Sequence, residues 1–249
     1  MIAAQPRHVL LAGAQRCGTT YLATALGAHP DIAVASPPRP EPKVFCDADL
    51  AARGRDWYVG TWFAHARDDQ LLLDKSTSYL EDPATPARAA TVLGDAHVVV
   101  LLRDPVQRAV SHWRFSTDHG LEARGLEEAL LADLGDEQPW DPTTASVSPF
   151  AYLRRGRYAD HLPPWTSTFP GSTHVLFLEE LLVDPSVLTG LMTALGVDPA
   201  RAPAPTGGPV NQSTGDRPVL SGALRGTLQE YFEPSDAALA AQLGRSLPW

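Results

Sequence analysis

Between an apolar run, His8 to Ala12, and a stretch that reads as a helix, Thr20 to Ala28, the chain carries Gly13-Ala-Gln-Arg-Cys-Gly-Thr-Thr20. Its two glycines stand in G-x-x-x-x-G spacing. That spacing lets backbone N–H groups curl round an oxyanion while the helix behind presents the positive end of its dipole. In a P-loop NTPase the second glycine is followed by Lys and then Ser or Thr, for a nucleotide triphosphate and its magnesium. Here Thr19 takes the lysine's place, and the cation has moved to Arg16 inside the loop. Such a site suits a terminal phosphate better than a magnesium triphosphate. The bland alternative is a glycine turn with a stray arginine.

The rest of the chain supplies the frame this loop needs. Further short apolar runs lie at Ile32 to Ala35, Leu71 to Leu73, His97 to Leu102 and His174 to Leu178. Helix-type stretches alternate with them. Leu22, Ala25 and Leu26 form one stripe that His29-Pro30 ends, and Pro86 to Leu93, Pro105 to Thr117 and Leu126 to Leu134 also read as helical. Asp104-Pro105 is an N-cap followed by proline at the first helical position. Tyr158, Leu162 and Trp165 recur as one helical face, Pro199 to Gly208 reads as a loop, and Ser221 to Phe232 and Asp236 to Leu243 read as two closing helices. Strands alternating with helices predict an α/β, P-loop-like three-layer fold with a mostly parallel central sheet flanked by helices. The expectation is a single domain over 1–249, with an acceptor-side insertion at roughly 113–150.

Cations follow the strand runs. The only lysines among 20 basic residues are Lys43, after the second run, and Lys75, closing the third. Arg103 closes the fourth. In a parallel sheet such strand ends share one edge, the usual ligand crevice, and a lysine there offers a compact point charge.

Taken together, Gly13 to Thr20, Glu41-Pro-Lys43, Lys75-Ser-Thr-Ser-Tyr79 and Leu102-Arg-Asp-Pro-Val-Gln-Arg-Ala-Val-Ser-His112 resemble the ordered motifs of a known family. It is the sulfotransferases that use 3′-phosphoadenosine 5′-phosphosulfate (PAPS), with a motif set like that of the heparan sulfate enzymes. The resemblance continues through Tyr152-Leu-Arg-Arg-Gly-Arg-Tyr158, Leu178-Glu-Glu-Leu181 with Asp184-Pro185, and Asn211-Gln-Ser with Arg217-Pro218. It implies that Gln15, Arg16, Cys17, Gly18, Thr19 and Thr20 hold the donor's 5′-phosphosulfate. It further implies that Arg103 and Ser111 bind the 3′-phosphate, with Arg217 closing over it. Glu41 is then the general base, and Lys43, Lys75 and Arg16 stabilise charge on the transferring or leaving group. The product nucleotide is adenosine 3′,5′-bisphosphate (PAP), and no metal is called for. One departure matters: many relatives carry Lys where this chain has Arg16, whose planar fork does not replace a point charge faithfully.

Other residues read more plainly. His112 and His119 are expected to be structural, Cys17 a small packing residue within its loop, Arg108 a structural or surface charge, and at least some of Arg154, Arg155 and Arg157 structural. Trp113, Phe115 and the stretch to Phe150 are expected to line or cover the acceptor pocket.

Charge and composition narrow the partners. A net charge of −9 disfavours a nonspecific grip on nucleic acid or anionic lipid. It also argues against a highly anionic polysaccharide acceptor, leaving a small or medium-sized molecule with a hydroxyl, amine sulfation staying open. Two cysteines make no disulfide framework, and no apolar run approaches the roughly 18 to 20 residues of a membrane span. The Val9 to Ala14 run is too short for a signal peptide. The expectation is a cytoplasmic protein, and the wealth of Ala, Arg and Pro suggests a GC-rich bacterial genome; its oligomeric state is left undetermined. The competing readings are a nucleotide-dependent phosphotransferase, disfavoured by Thr19, and a non-catalytic nucleotide-binding protein, disfavoured by the carboxylate at Glu41.

Overall fold

The computed structural model describes residues 7–135, 137–141, 147–203 and 219–249. In chain order the first elements are β1 (His8–Gly13), α1 (Thr19–Gly27), β2 (Ile32–Val34), α2 (Ala48–Ala51), α3 (Gly54–Trp62) and β3 (Leu71–Lys75). They continue with α4 (Thr85–Leu93), β4 (Ala96–Leu102), α5 (Pro105–Asp118), α6 (Leu126–Asp133) and α7 (Tyr158–Thr168). The last are β5 (Thr173–Phe177), α8 (Leu178–Val183), α9 (Pro185–Ala194) and α10 (Gly222–Leu243). No helix among the described residues is long and apolar enough to cross a membrane.

The five strands form one sheet in the order β2-β3-β1-β4-β5, every pair parallel. The expected α/β fold is therefore present. Every residue of β1 and β4 is buried, which is why both read as unbroken apolar runs, as strands covered on both faces do. The connection leaving β1 runs towards β2 and the one leaving β4 runs towards β5. The carboxyl ends of these two neighbours thus flank the point where the winding reverses, where ligands of such sheets bind.

The chain divides into two compact units. The first, Met1–Leu102 with His161–Val210, contains the whole sheet and a core that includes Leu10, Leu11, Leu22, Leu26, Val98 to Leu102 and Trp165. The second, Arg103–Asp160 with Asn211–Trp249, has its own core, in which Val106 and Ala109 of α5 meet Leu130 of α6, Tyr152, and Leu228 and Phe232 of α10.

One expectation changes in this second unit. The closing segment is one helix, not two, and runs through Pro234. Its buried residues Leu224, Leu228, Phe232, Ser235 and Leu239 continue one stripe across the proline, so tertiary packing overrides the local break that proline would otherwise impose. Of the two readings given for Arg108, structural or surface charge, the structural one holds. Its side chain is wholly buried and its guanidinium donates to the Tyr152 carbonyl, fastening α5 to the Tyr152 segment.

Candidate active site

The Gly13 to Thr20 loop springs from the carboxyl end of β1. A Cβ on Gly13 would come within 2.8 Å of Leu80, and one on Gly18 within 2.7 Å of Leu178. Gly18 also sits at φ 86°. Gly13 is therefore required by close approach to Leu80 Cβ, and Gly18 by its backbone conformation. The loop is tied to β4 by the Ala14 N–H donating to the Leu101 carbonyl at 2.8 Å, and it turns on itself where Cys17 N–H donates to Ala14. Gly18 is the N-cap of α1 and brings no side-chain cap to the opening amides of that helix. Arg16 takes a left-handed conformation, φ 68°, and Cys17 is fully buried with its thiol on the Gln15 carbonyl.

β3 lies beside β1, and its last residue Lys75 pairs with Leu11, two residues before Gly13. The Lys75 ammonium stands at the same sheet edge as the phosphate loop and donates to Glu41 Oε1 at 2.5 Å. Glu41 arrives from the segment after β2. Its Oε2 accepts from the Thr77 N–H at 3.0 Å and from the Thr77 hydroxyl at 3.1 Å. Ion pair and hydrogen bonds fix the carboxylate in a half-buried position. Three donors take three of the roughly four lone-pair directions a carboxylate offers, which leaves one for an incoming O–H.

Lys43 is held through its backbone, in a left-handed conformation at φ 50°, with its N–H donating to Ser76 Oγ at 2.9 Å. Ser76 in turn donates to Asp74 Oδ1 at 2.7 Å. Asp74 is fully buried, and its other oxygen accepts from the hydroxyls of Tyr58 at 3.0 Å and Tyr79 at 2.9 Å. Tyr79 also accepts the Phe45 N–H. A buried carboxylate with three hydroxyl donors thus underpins the two loops that carry Lys43, Glu41 and Lys75.

The sequence assigns no role to Asp74, Ser76, Thr77 or Tyr58. The available signal was a charged residue inside an apolar strand run, which must be hydrogen-bonded to be tolerated.

Burial pushes the Asp74 carboxyl up to about 6 from its ordinary 3.8, against the lowering effect of the Ser76, Tyr79 and Tyr58 hydroxyls; the charge on Glu41 adds to the rise. A group raised on folding contributes stability that is complete below its unfolded value and is lost as pH rises through the folded one. The stability of the native protein relative to Asp74→Asn is therefore expected to fall between pH 4 and 7 by about 2 kcal/mol. Urea unfolding of both proteins at the two pH values measures this, and a constant difference would contradict it.

Of the remaining expected site residues, Arg103 and Ser111 belong to the second unit, at the end of β4 and on α5, and both are half-buried. The Arg103 carbonyl accepts the Tyr158 hydroxyl at 2.8 Å. Arg217 lies outside the described residues. Thr19 is buried and Thr20 half-buried at the start of α1. Trp113 donates its indole N–H to the Arg124 carbonyl and packs on the second unit's core, and His112 is buried against Tyr152. Arg154 pairs with Glu137, Arg157 pairs with Asp160, and Arg155 is buried.

A model of the sulfotransferase domain matches residues 6–187. Among curated proteins, the chain is 34% identical over 185 residues to heparan sulfate glucosamine 3-O-sulfotransferase 6 of Mus musculus, covering 72% of this chain and 48% of that one. It is 28% identical over 210 residues to the bifunctional heparan sulfate N-deacetylase/N-sulfotransferase of Drosophila melanogaster, covering 76% of this chain and 20% of that one. The chain thus spans between a fifth and a half of the length of these two relatives. Among solved structures, a sulfotransferase from Alicyclobacillus acidocaldarius is similar over 98% of both chains, at 25% identity and a TM-score of 0.76. The sulfotransferase domain of the curacin biosynthetic pathway, at 17% identity and a TM-score of 0.51, shares the fold.

Proposed function

The chain belongs to the sulfotransferase domain family, and from that membership we propose that it moves a sulfuryl group from PAPS to a hydroxyl of a small or medium-sized acceptor. The observation that carries the reading is the Glu41 carboxylate, pinned by Lys75 and Thr77 at the sheet edge where the Gly13 to Thr20 loop begins.

The donor brings an activated sulfuryl group on a phosphosulfate anhydride, with the nucleotide as leaving group. Glu41 takes the acceptor's proton as attack proceeds, since a hydroxyl is a weak nucleophile until that proton leaves. The acceptor oxygen bonds to sulfur, the bond from sulfur to the bridging phosphate oxygen breaks, and the electron pair stays on that oxygen. Negative charge grows there. Cations placed where charge develops stabilise the transition state more than the ground state, which is the role assigned to Lys75 and Arg16. Thr19, Thr20, Gln15, Cys17 and Gly18 serve the donor's terminal group together with the opening amides of α1. Lys43, held by Ser76, adds positive charge beside Glu41 in the chain. Arg103, Ser111 and Arg217 are assigned to the 3′-phosphate on their motif positions alone.

Titration calorimetry with PAP, adenosine 5′-monophosphate and ATP plus magnesium tests the donor. The bisphosphate is expected to bind at least tenfold more tightly than either alternative, with that preference lost in Arg103→Ala. Equal affinities, or tighter magnesium-dependent ATP binding, would overturn the reading in favour of a phosphotransferase.

A further inference from the structure

A cleft of about 450 Å³ runs along α1 on the side of β2, the edge strand of the sheet. One wall is α1, contributing Ala23 and Gly27; the other is the end of β2 and the segment after it, contributing Val34, Ala35, Pro38 and Pro42. Small aliphatic and proline side chains make these walls apolar. At one end stands Lys75, whose ammonium grips Glu41. Towards the other, α1 and β2 come so close that a Cβ on Gly27 would lie 2.5 Å from Val34 Cγ2. The polar groups along the cleft offer little. Thr20, at the Lys75 end, is a residue assigned to the donor; the Thr24 hydroxyl donates to the Thr20 carbonyl at 2.9 Å, and the only charged lining residue besides Lys75, among those described, is the exposed Arg39.

We infer that this cleft receives the hydrocarbon body of the acceptor, so that the substrate class is an amphipathic alcohol: one hydroxyl at Glu41, and an aliphatic chain lying along α1 towards Gly27. The inference rests on the sulfotransferase reading for the hydroxyl's place, and on the cleft itself for the apolar body. The volume falls within the ~300–1,000 Å³ of small-molecule sites, and apolar walls with few polar groups select for hydrocarbon. Repeating anionic sugars would find only Arg39 and a Lys75 already paired with Glu41 among the described lining residues, in place of the row of basic side chains their charge requires. The reaction joins the alcohol oxygen to sulfur, delivers the hydroxyl proton to Glu41 and leaves the bridging oxygen's electron pair on PAP.

The test uses the full chain and the series 1-butanol, 1-hexanol, 1-octanol and 1-decanol, read twice. Ligand-observed NMR without nucleotide measures binding to the cleft, and turnover with PAPS measures transfer. Each CH₂ buried is expected to tighten binding and raise kcat/KM about fourfold until the cleft is filled. Thr24→Phe, at an exposed position that tolerates a larger side chain, is expected to weaken 1-octanol binding at least tenfold while PAP affinity stays unchanged. Chain-length-independent binding, or better turnover of a sulfated heparan oligosaccharide than of 1-octanol, overturns the inference even if PAP binds. Length-dependent alcohol binding that Thr24→Phe abolishes upholds the cleft even if PAP does not bind, and then it is the donor reading that falls.

Discussion

Glu41→Gln is expected to lower kcat about 10²–10⁴-fold, the usual contribution of a positioned general base, with PAP affinity unchanged. The amide keeps the shape of the carboxylate, and its oxygen can still accept the Thr77 N–H, so the fold around the site has no reason to collapse. What it loses is the capacity to take a proton. It also turns an NH₂ or a neutral oxygen towards the Lys75 ammonium, which now stands 2.5 Å from a full negative charge. A loss of secondary order would confound the result, so circular dichroism and the PAP titration accompany the kinetics. A variant that binds the nucleotide normally and retains more than a tenth of kcat would remove Glu41 from the proton transfer.

Lys75→Met should cost about 10²–10³ in kcat, the scale seen when one preorganised donor is taken from a developing oxyanion. Methionine fills much of the volume of the lysine stem, and the position is 20% exposed, so packing changes little. Two effects are folded together here. The leaving oxygen loses a cation, and Glu41 loses the partner that holds its Oε1. The double variant Glu41→Gln/Lys75→Met separates them. Residues acting as one unit are grossly non-additive, so the pair should cost little more than the worse single change. Additive losses would mean that the two side chains act independently despite their contact.

The sheet and the course of the Gly13 to Thr20 loop between β1 and α1 were legible because their signals are local. β1 and β4 are unbroken apolar runs, and the two glycines of the loop sit eight residues or fewer from both flanking elements. α10 was misread because Pro234 is a strong local signal, whereas the stripe from Leu224 to Leu239 that defeats it is a statement about packing. α2, α3, α8 and α9 gave no sequence expectation; α2 and α8 are a turn or so long, and α8 and α9 coincide with the Leu178 to Leu181 and Asp184-Pro185 motifs. The Asp74 network was hidden for a different reason. Tyr58 is 16 residues from Asp74, and Lys43 is 33 from Ser76, so only the pairing of β2 with β3 brings the parts together.

Glu41 hangs from the least anchored strand of the sheet. β2 has three residues and a single neighbour, β3, whereas β1 and β4 are buried on both sides. In native-state exchange, edges of this kind open at a fraction of the free energy of global unfolding. Each such opening would carry Glu41, the proposed base, away from Thr77 while the Gly13 to Thr20 loop stayed shut. With Glu41 as the proposed base and the Gly13 to Thr20 loop as the proposed donor site, the thermal weak point lies at the base: on warming, turnover should fade in a protein that still binds PAP. Evolution can also rework that margin to suit a new acceptor without reopening the centre of the sheet.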